Sequence, residues 1–267
     1  MSRVALEFDL KERWYMNNVE RANRNLFDMR MNPYPGRGIV IGMSEDGRHA
    51  IQVYWIMGRS ENSRNRVFSS DIGRVFTEAA DPSKVSDPSL IIYNAMMDAP
   101  LNDHFIVSNG SQTDVVTDLM NDGVSLEMAL SDFKYEPDAP NFTPRITGTY
   151  STEAQYSKWQ LAIQRHSRWG ESCDRELYQY EHIADGYGHC ITTYAGNGDP
   201  LPAFRGNPLL MPLRGDIRRV AETYWGTLNT ANRVALAVKF ISLSNQESEV
   251  YLINKHEKVD SLTESDV

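Results

Sequence analysis

Residues 38–57 read GIVIGMSEDGRHAIQVYWIM, and the fold class follows from them. Gly38-Ile39-Val40-Ile41-Gly42 and Ala50 to Met57 are runs rich in β-branched and aromatic residues, which fit a pleated, half-buried surface. The Ser44-Glu45-Asp46-Gly47 between them carries the Asp-Gly pair that favours a tight hairpin turn. The pattern predicts two antiparallel strands. Downstream, strand-and-loop character continues past Arg66-Val67-Phe68, with Asp81-Pro82 and Asp87-Pro88 as breakers before Leu90-Ile91-Ile92-Tyr93. His104-Phe105-Ile106-Val107 predicts a short strand stopped at Asn109-Gly110. From Asp114 to about Asp132 the apolar residues Val115, Leu119, Met120, Leu126 and Leu130 fit two helical pieces, broken at Gly123 and restarted from Ser125 as N-cap. The second half repeats the order, with strand-like stretches at 145–151, 159–165 and 187–194, then helix-like patterns at 216–225 and 230–241.

Upstream, Leu6, Leu10, Trp14, Met16, Leu26 and Phe27 lie among charges over residues 6–30, predicting a peripheral helix that ends before Asn32-Pro33-Tyr34-Pro35-Gly36. Runs of strands followed by helices, with hairpins, predict an α+β fold of stacked sheets covered by helices and not a doubly wound βαβ repeat. There is no GxGxxG and no Walker loop. The organisation predicted is a helical extension at 1–33, one domain at 34–245, and a charged solvated tail at 246–267, rich in Glu and Lys.

Composition narrows the function. The 267 residues include 27 basic and 36 acidic side chains, a net charge of −9, which argues against a duplex nucleic-acid partner because such partners select clustered Lys and Arg. The 41 % hydrophobic content supports a sizeable core. Cys173 and Cys190 are too few for a disulfide scaffold, and no Cys or His stands at zinc-ligand spacing. Charges at Glu7, Asp9, Lys11 and Glu12 interrupt any signal-peptide core, and no apolar run approaches a membrane span. The expectation is a cytoplasmic protein with no membrane partner.

Three segments carry candidate chemistry. Gly58-Arg59-Ser60-Glu61-Asn62-Ser63-Arg64-Asn65-Arg66 concentrates three arginines at the end of a predicted strand. Guanidinium forks bind phosphate or carboxylate bidentately, although arginines in a solvated loop explain the composition equally well. Ser108-Asn109-Gly110-Ser111-Gln112-Thr113-Asp114 lies at a strand-to-helix corner, where backbone N–H groups gather and hold anions; a plain turn with Asp114 capping the helix is the alternative. Tyr135 to Ile146 holds Glu136 and Asp138 in a loop stiffened by Pro137, Pro140 and Pro144, suited to acid, base or hydroxyl-acceptor roles or to a rigid exposed connection.

In order, Tyr34-Pro35-Gly36-Arg37, Gly58-Arg59-Ser60 to Asn65-Arg66, Tyr93-Asn94, the Ser108 to Asp114 segment, Tyr135-Glu136 with Thr143-Pro144-Arg145-Ile146, and more loosely Ile191-Thr192-Thr193-Tyr194 resemble the archaeal-type IMP cyclohydrolase family over residues 34–240. The resemblance implies a four-layer αββα sandwich, two stacked antiparallel sheets between helix layers, similar to the N-terminal-nucleophile hydrolases. It implies dehydrative closure of 5-formamido-1-(5-phosphoribosyl)imidazole-4-carboxamide to IMP without cofactor or metal, in a homo-oligomer. By position it implies catalytic roles for Tyr93, Glu136 and Arg59. Substrate contacts would fall to Arg37, Arg64, Arg66, Asn94, Ser108, Asn109, Gly110, Thr113, Asp114 and Arg145. The acid and base roles of Tyr93 and Glu136 are interchangeable on this reading, and either Arg64 or Arg66 takes the second arginine's place.

The chain departs from the family in the residues 1–33 that precede the strand at which its members usually begin, and Gly36-Arg37 supplies no Cys, Ser or Thr for a terminal nucleophile. Two alternatives follow: an amide hydrolase of the same architecture, using Met1 or Ser2 as nucleophile, and a purine-nucleotide-binding protein without turnover.

Overall fold

The computed structural model describes residues 18–85, 88, 91–99, 103–153 and 158–258. A helix, α1 (18–31), leads into the hairpin β1 (Gly38–Met43) and β2 (His49–Met57), then α2 (Glu61–Arg64), β3 (Val67–Asp71) and β4 (Arg74–Glu78). After β5 (Asn94–Ala99) and β6 (His104–Ser108) come α3 (Gln112–Asn121) and α4 (Leu126–Ala129). The strands β7 (Arg145–Ser151), β8 (Trp159–His166), β9 (Cys173–Tyr180), β10 (Tyr187–Thr192) and β11 (Leu209–Pro212) precede α5 (Ile217–Thr227), β12 (Arg233–Ser242) and β13 (Ser248–Asn254).

The strands form two antiparallel sheets, one ordered β11-β10-β1-β2-β12-β13 and the other β3-β4-β5-β6-β7-β8-β9. Strand periodicity sorts side chains into three cores. Ile39, Ile41, Tyr54 and Ile56 of the first sheet meet Phe105, Val107, Ile146 and Leu161 of the second in the inter-sheet core. The opposite faces, through Val40, Val53, Trp55 and Val238, bury Met29 of α1 and Val220, Ala221 and Tyr224 of α5. Ile106 and Ala162 of the second sheet cover Val116 and Met120 of α3 and Leu126 of α4. The result is the predicted sandwich of helices, sheet, sheet and helices. Each large aliphatic side chain so buried contributes roughly 1.5–3 kcal/mol.

Local signals place most boundaries. The hairpin turns at Asp46-Gly47, with Gly47 at φ +66°. Ser125 caps α4 by accepting from the Met128 N–H, and Asp216 caps α5 through the Arg219 N–H. The helix predicted at 6–30 is described only from residue 18, and its earlier part lies outside the described residues.

Two expectations fail. Residues 230–241 are not helical: they contribute most of β12, whose Ala235 and Ala237 face the inter-sheet core while Leu236 and Val238 face the helix-side core. A strand buried on both faces shows no polar alternation, so its sequence imitates a buried helix. The expected tail at 246–267 is also partly structured. Ser248–Asn254 pair with β12 as an edge strand, because Val250 and Leu252 reach the inter-sheet core while the charged neighbours face water. Among the described residues no helix is long and apolar enough to cross a membrane.

Candidate active site

The chain entering β1 is held by its neighbours. The Trp55 ring lies across Gly38, where a Cβ would come within 2.0 Å of it, and the indole N–H donates to the Gly36 carbonyl at 3.0 Å. Arg37 exchanges backbone bonds with Thr193, donating to its Oγ1 at 3.1 Å and accepting from its N–H at 2.8 Å. Fixed in this way, the Arg37 side chain runs to two distant segments. Its Nη2 donates to Glu136 Oε2 at 2.9 Å and its Nη1 to the Asn109 carbonyl at 3.1 Å.

Arg37 and Glu136 form one wall of a cavity of about 260 Å³. Arg59, Ser60, Asn62, Ser63 and Arg66 line it from the segment after β2, with Tyr34, Met57 and Ile91. Asp138, Asn141, Thr143, Tyr194 and Leu201 complete it. Three guanidinium groups face two carboxylates here, an excess of positive charge within a chain of net charge −9. Such a cleft concentrates an anionic ligand.

The arginines differ in what satisfies them. Arg66 is 3 % exposed, and among the described residues its donors reach only backbone carbonyls, Ser63 at 2.9 Å and Met57 at 3.5 Å. No carboxylate pairs with it among the described residues, and burial pulls its pKa below the ordinary arginine value. Burial also works against the charge of Arg37, but there the Glu136 carboxylate prevails and lifts the pKa well above its usual value. Arg59 lies over the Tyr34 ring at 5.1 Å and donates to Asn197 Oδ1 at 2.8 Å and the Gly198 carbonyl at 3.0 Å. Arg64 turns away, donating to the Gly58 carbonyl and to Asn232 Oδ1. Of the two candidates for the second arginine, Arg66 is the one at the cavity.

Burial raises the Glu136 pKa, against the lowering pull of Arg37 and Arg145. The carboxyl therefore gives up its proton less readily than an exposed glutamate. Its loop is braced: the Glu136 N–H donates to the Thr143 carbonyl at 2.8 Å, and Asp138 accepts from both the N–H and the hydroxyl of Thr143. Tyr93 is not among the residues that line the cavity; it neighbours the lining Arg37 and Arg66, is 6 % exposed, and has its hydroxyl 2.7 Å from that of Tyr54.

The strand-to-helix corner acts mainly as a brace. Asn109 donates to the Pro144 carbonyl at 2.9 Å and accepts from the Ile146 N–H at 2.7 Å, fastening the Glu136 loop to the end of β6. Ser108, Thr113 and the Gly110 carbonyl form a buried hydroxyl chain. Gly110 permits close approach: a Cβ there would meet Arg145 Nη1 at 2.7 Å and Glu136 Oε1 at 3.5 Å. Arg145 donates to Gln112 Oε1 at 2.6 Å, and burial lowers its pKa. Asp114 does not serve as the expected cap; it accepts from Asn94, and neither residue lines the cavity. Among the described residues no three His, Cys, Asp or Glu side chains stand where they would share a cation.

The sequence pattern of the family described as "IMP cyclohydrolase-like protein" matches residues 34–247, most of the chain. The chain belongs to the IMP cyclohydrolase-like family. It is 35 % identical over 119 residues to an IMP cyclohydrolase of Methanopyrus kandleri, covering 43 % of this chain and 57 % of that one. Over 127 residues it is 31 % identical to an IMP cyclohydrolase of Methanosphaera stadtmanae, covering 46 % and 60 %. A third, from Methanothrix thermoacetophila, is 34 % identical over 123 residues, covering 44 % and 58 %. The alignments thus span about three fifths of the curated relatives' length. The family match opens at Tyr34, the first cavity residue, and leaves α1 and all of β13 outside it.

Sequence reasoning overlooked Tyr54 and did not single out Tyr34, Asn62, Thr143 or Tyr194. Tyr34, Thr143 and Tyr194 stand inside segments that carry the resemblance. Tyr54 sits in an unremarkable strand, and only its cross-core contact with Tyr93 distinguishes it.

Proposed function

We propose that the cavity binds 5-formamido-1-(5-phosphoribosyl)imidazole-4-carboxamide and closes its second ring to give IMP and water. The reading is carried by Arg66, a buried cation with no anionic partner among the described residues, on a cavity wall shared by Arg37, Arg59 and Glu136. A charge so placed calls for an anion, and the substrate's phosphate or its developing oxyanion supplies one. The volume lies just below the range usual for ligand sites, about 300–1,000 Å³, and so suits a mononucleotide better than a dinucleotide.

The reaction joins two groups of one molecule. The carboxamide nitrogen attacks the formyl carbon; that nitrogen loses a proton and the formyl oxygen gains one. The resulting hydroxyl then departs as water while the former formamide nitrogen loses its own proton. Both partners are unreactive amides, so holding them in one near-attack conformation supplies much of the acceleration. Tyr93 donates to the formyl oxygen, and Glu136 takes the proton of the attacking nitrogen. The Arg37 ion pair keeps a carboxylate available despite its burial. Arg59 and Arg66 hold the anionic groups, and the stacked Tyr34 and Tyr194 rings, 6.0 Å apart, offer an aromatic wall for the heterocycle.

The test is direct. Purified protein incubated with the formyl substrate should raise ultraviolet absorbance as IMP forms, and Tyr93→Phe and Glu136→Gln should each lower turnover at least tenfold in folded protein. Near-wild-type rates in both variants would remove these roles. Tight IMP binding with no cyclisation would leave a nucleotide-binding protein.

A further inference from the structure

Tyr54 lies on the inner face of β2, fully buried, with its ring against Phe68 at 5.7 Å and its hydroxyl bonded, among the described residues, only to that of Tyr93, at 2.7 Å. Either oxygen can donate in that pair, but the surroundings are unequal. Tyr93 keeps 6 % of its surface and is the stronger electrostatic neighbour of the cavity-lining Arg37 and Arg66. Tyr54 stands further back and keeps none. If Tyr93 donated, the Tyr54 proton would be a buried O–H without an acceptor, an arrangement folded proteins avoid. With Tyr54 donating, its own proton is satisfied and the Tyr93 proton is left for the cavity.

We infer that Tyr54 is a positioning residue for ring closure: its hydroxyl donates to Tyr93 and commits the Tyr93 proton to the substrate. The inference rests on the proposed role of Tyr93. As the formyl oxygen draws on the Tyr93 proton, negative charge grows on the Tyr93 oxygen, and the short bond from Tyr54 strengthens in step. Burial holds the Tyr54 pKa well above the ordinary tyrosine value, so Tyr54 remains a donor throughout. It gains and loses no proton in the cycle. A bond that strengthens only as charge develops acts on turnover and leaves ground-state binding alone.

The experiment compares wild type, Tyr54→Phe, Tyr93→Phe and the double variant, measuring kcat and KM for the formyl substrate, the IMP dissociation constant, and the melting temperature. Tyr54→Phe should lower kcat about five- to twentyfold, with KM and IMP affinity within about twofold of wild type. In the Tyr93→Phe background the same substitution should have no further effect. An unchanged kcat in Tyr54→Phe overturns the inference. So does an equal slowing in both backgrounds, which is the signature of a loosened core and is readable even if the variant melts early. Failure of the wild type to cyclise would sink the functional reading itself, a result distinct from a wild type that cyclises beside a neutral Tyr54→Phe.

Discussion

Replacing Arg66 with methionine should make the empty protein more stable and the ligand weaker, a combination expected of a binding cation and not of a structural one. The residue is 3 % exposed, lacks a carboxylate partner among the described residues, and bonds two carbonyls, Ser63 at 2.9 Å and Met57 at a long 3.5 Å. Keeping a charge out of water costs several kcal/mol even after relaxation, whereas the two bonds return about 1 kcal/mol each. Methionine fills a similar volume without the charge, so the net gain should be about 1–2 kcal/mol. For a chain of this size that is roughly 2–8 °C in melting temperature. Against that gain, losing one charge-assisted bond to a phosphate or oxyanion costs about 1.5–3 kcal/mol, a roughly 10- to 150-fold rise in the IMP dissociation constant. Thermal melts with and without IMP, together with titration calorimetry, read both quantities. A variant that melts several degrees below wild type and binds IMP equally well would show that Arg66 braces the Ser63 turn, and the anion-binding argument would fail.

Two further outcomes follow from buried charges. Burial lifts the Glu136 carboxyl above its ordinary value, so the folded protein holds this proton more tightly than the unfolded chain does. Its contribution to stability is complete below the ordinary glutamate pKa, about 4.3, and is lost as pH rises through the elevated folded value. Urea midpoints from pH 4 to 8 should therefore show Glu136→Gln gaining on wild type as pH climbs; parallel curves would contradict the elevated pKa. In the inter-sheet core Lys239, 1 % exposed, is ion-paired with Asp98, and burial lowers the lysine pKa. Lys239→Met alone should cost about 3 kcal/mol by stranding the carboxylate, and the double variant with Asp98→Asn should recover most of it. Equal losses in the single and double variants would mean the pair is uncoupled.

The sequence made particular elements legible for particular reasons. Asp46-Gly47 between two β-branched runs identifies the hairpin, and Gly123 followed by Ser125 marks the break between α3 and α4, because turn and cap preferences act over a few residues. β12 was not legible, since a strand covered on both faces has no alternation to display. β13 was hidden by Glu249 within it and by Glu247 and Lys255 on either side, all of which face solvent at a sheet edge. Within the site, the ordered short segments pointed to Arg37, Arg59, Arg66, Glu136 and Tyr93. They could not distinguish Arg66 from Arg64, two positions apart, because only the path of α2 turns one guanidinium into the cavity and the other toward Asn232.

The sequence alone settled the α+β class of the fold, the net negative charge, and which types of side chain were available, because these depend on local propensity and composition. Tertiary structure decided the rest: that Asn109 and Thr113 brace the corner, that Arg37 spans two distant segments, and that Tyr54 stands behind Tyr93. Those relations arise from two sheets pressed face to face. Residues dozens of positions apart become neighbours only when the burial of both inner faces brings them together, and no local pattern records which neighbour each will have.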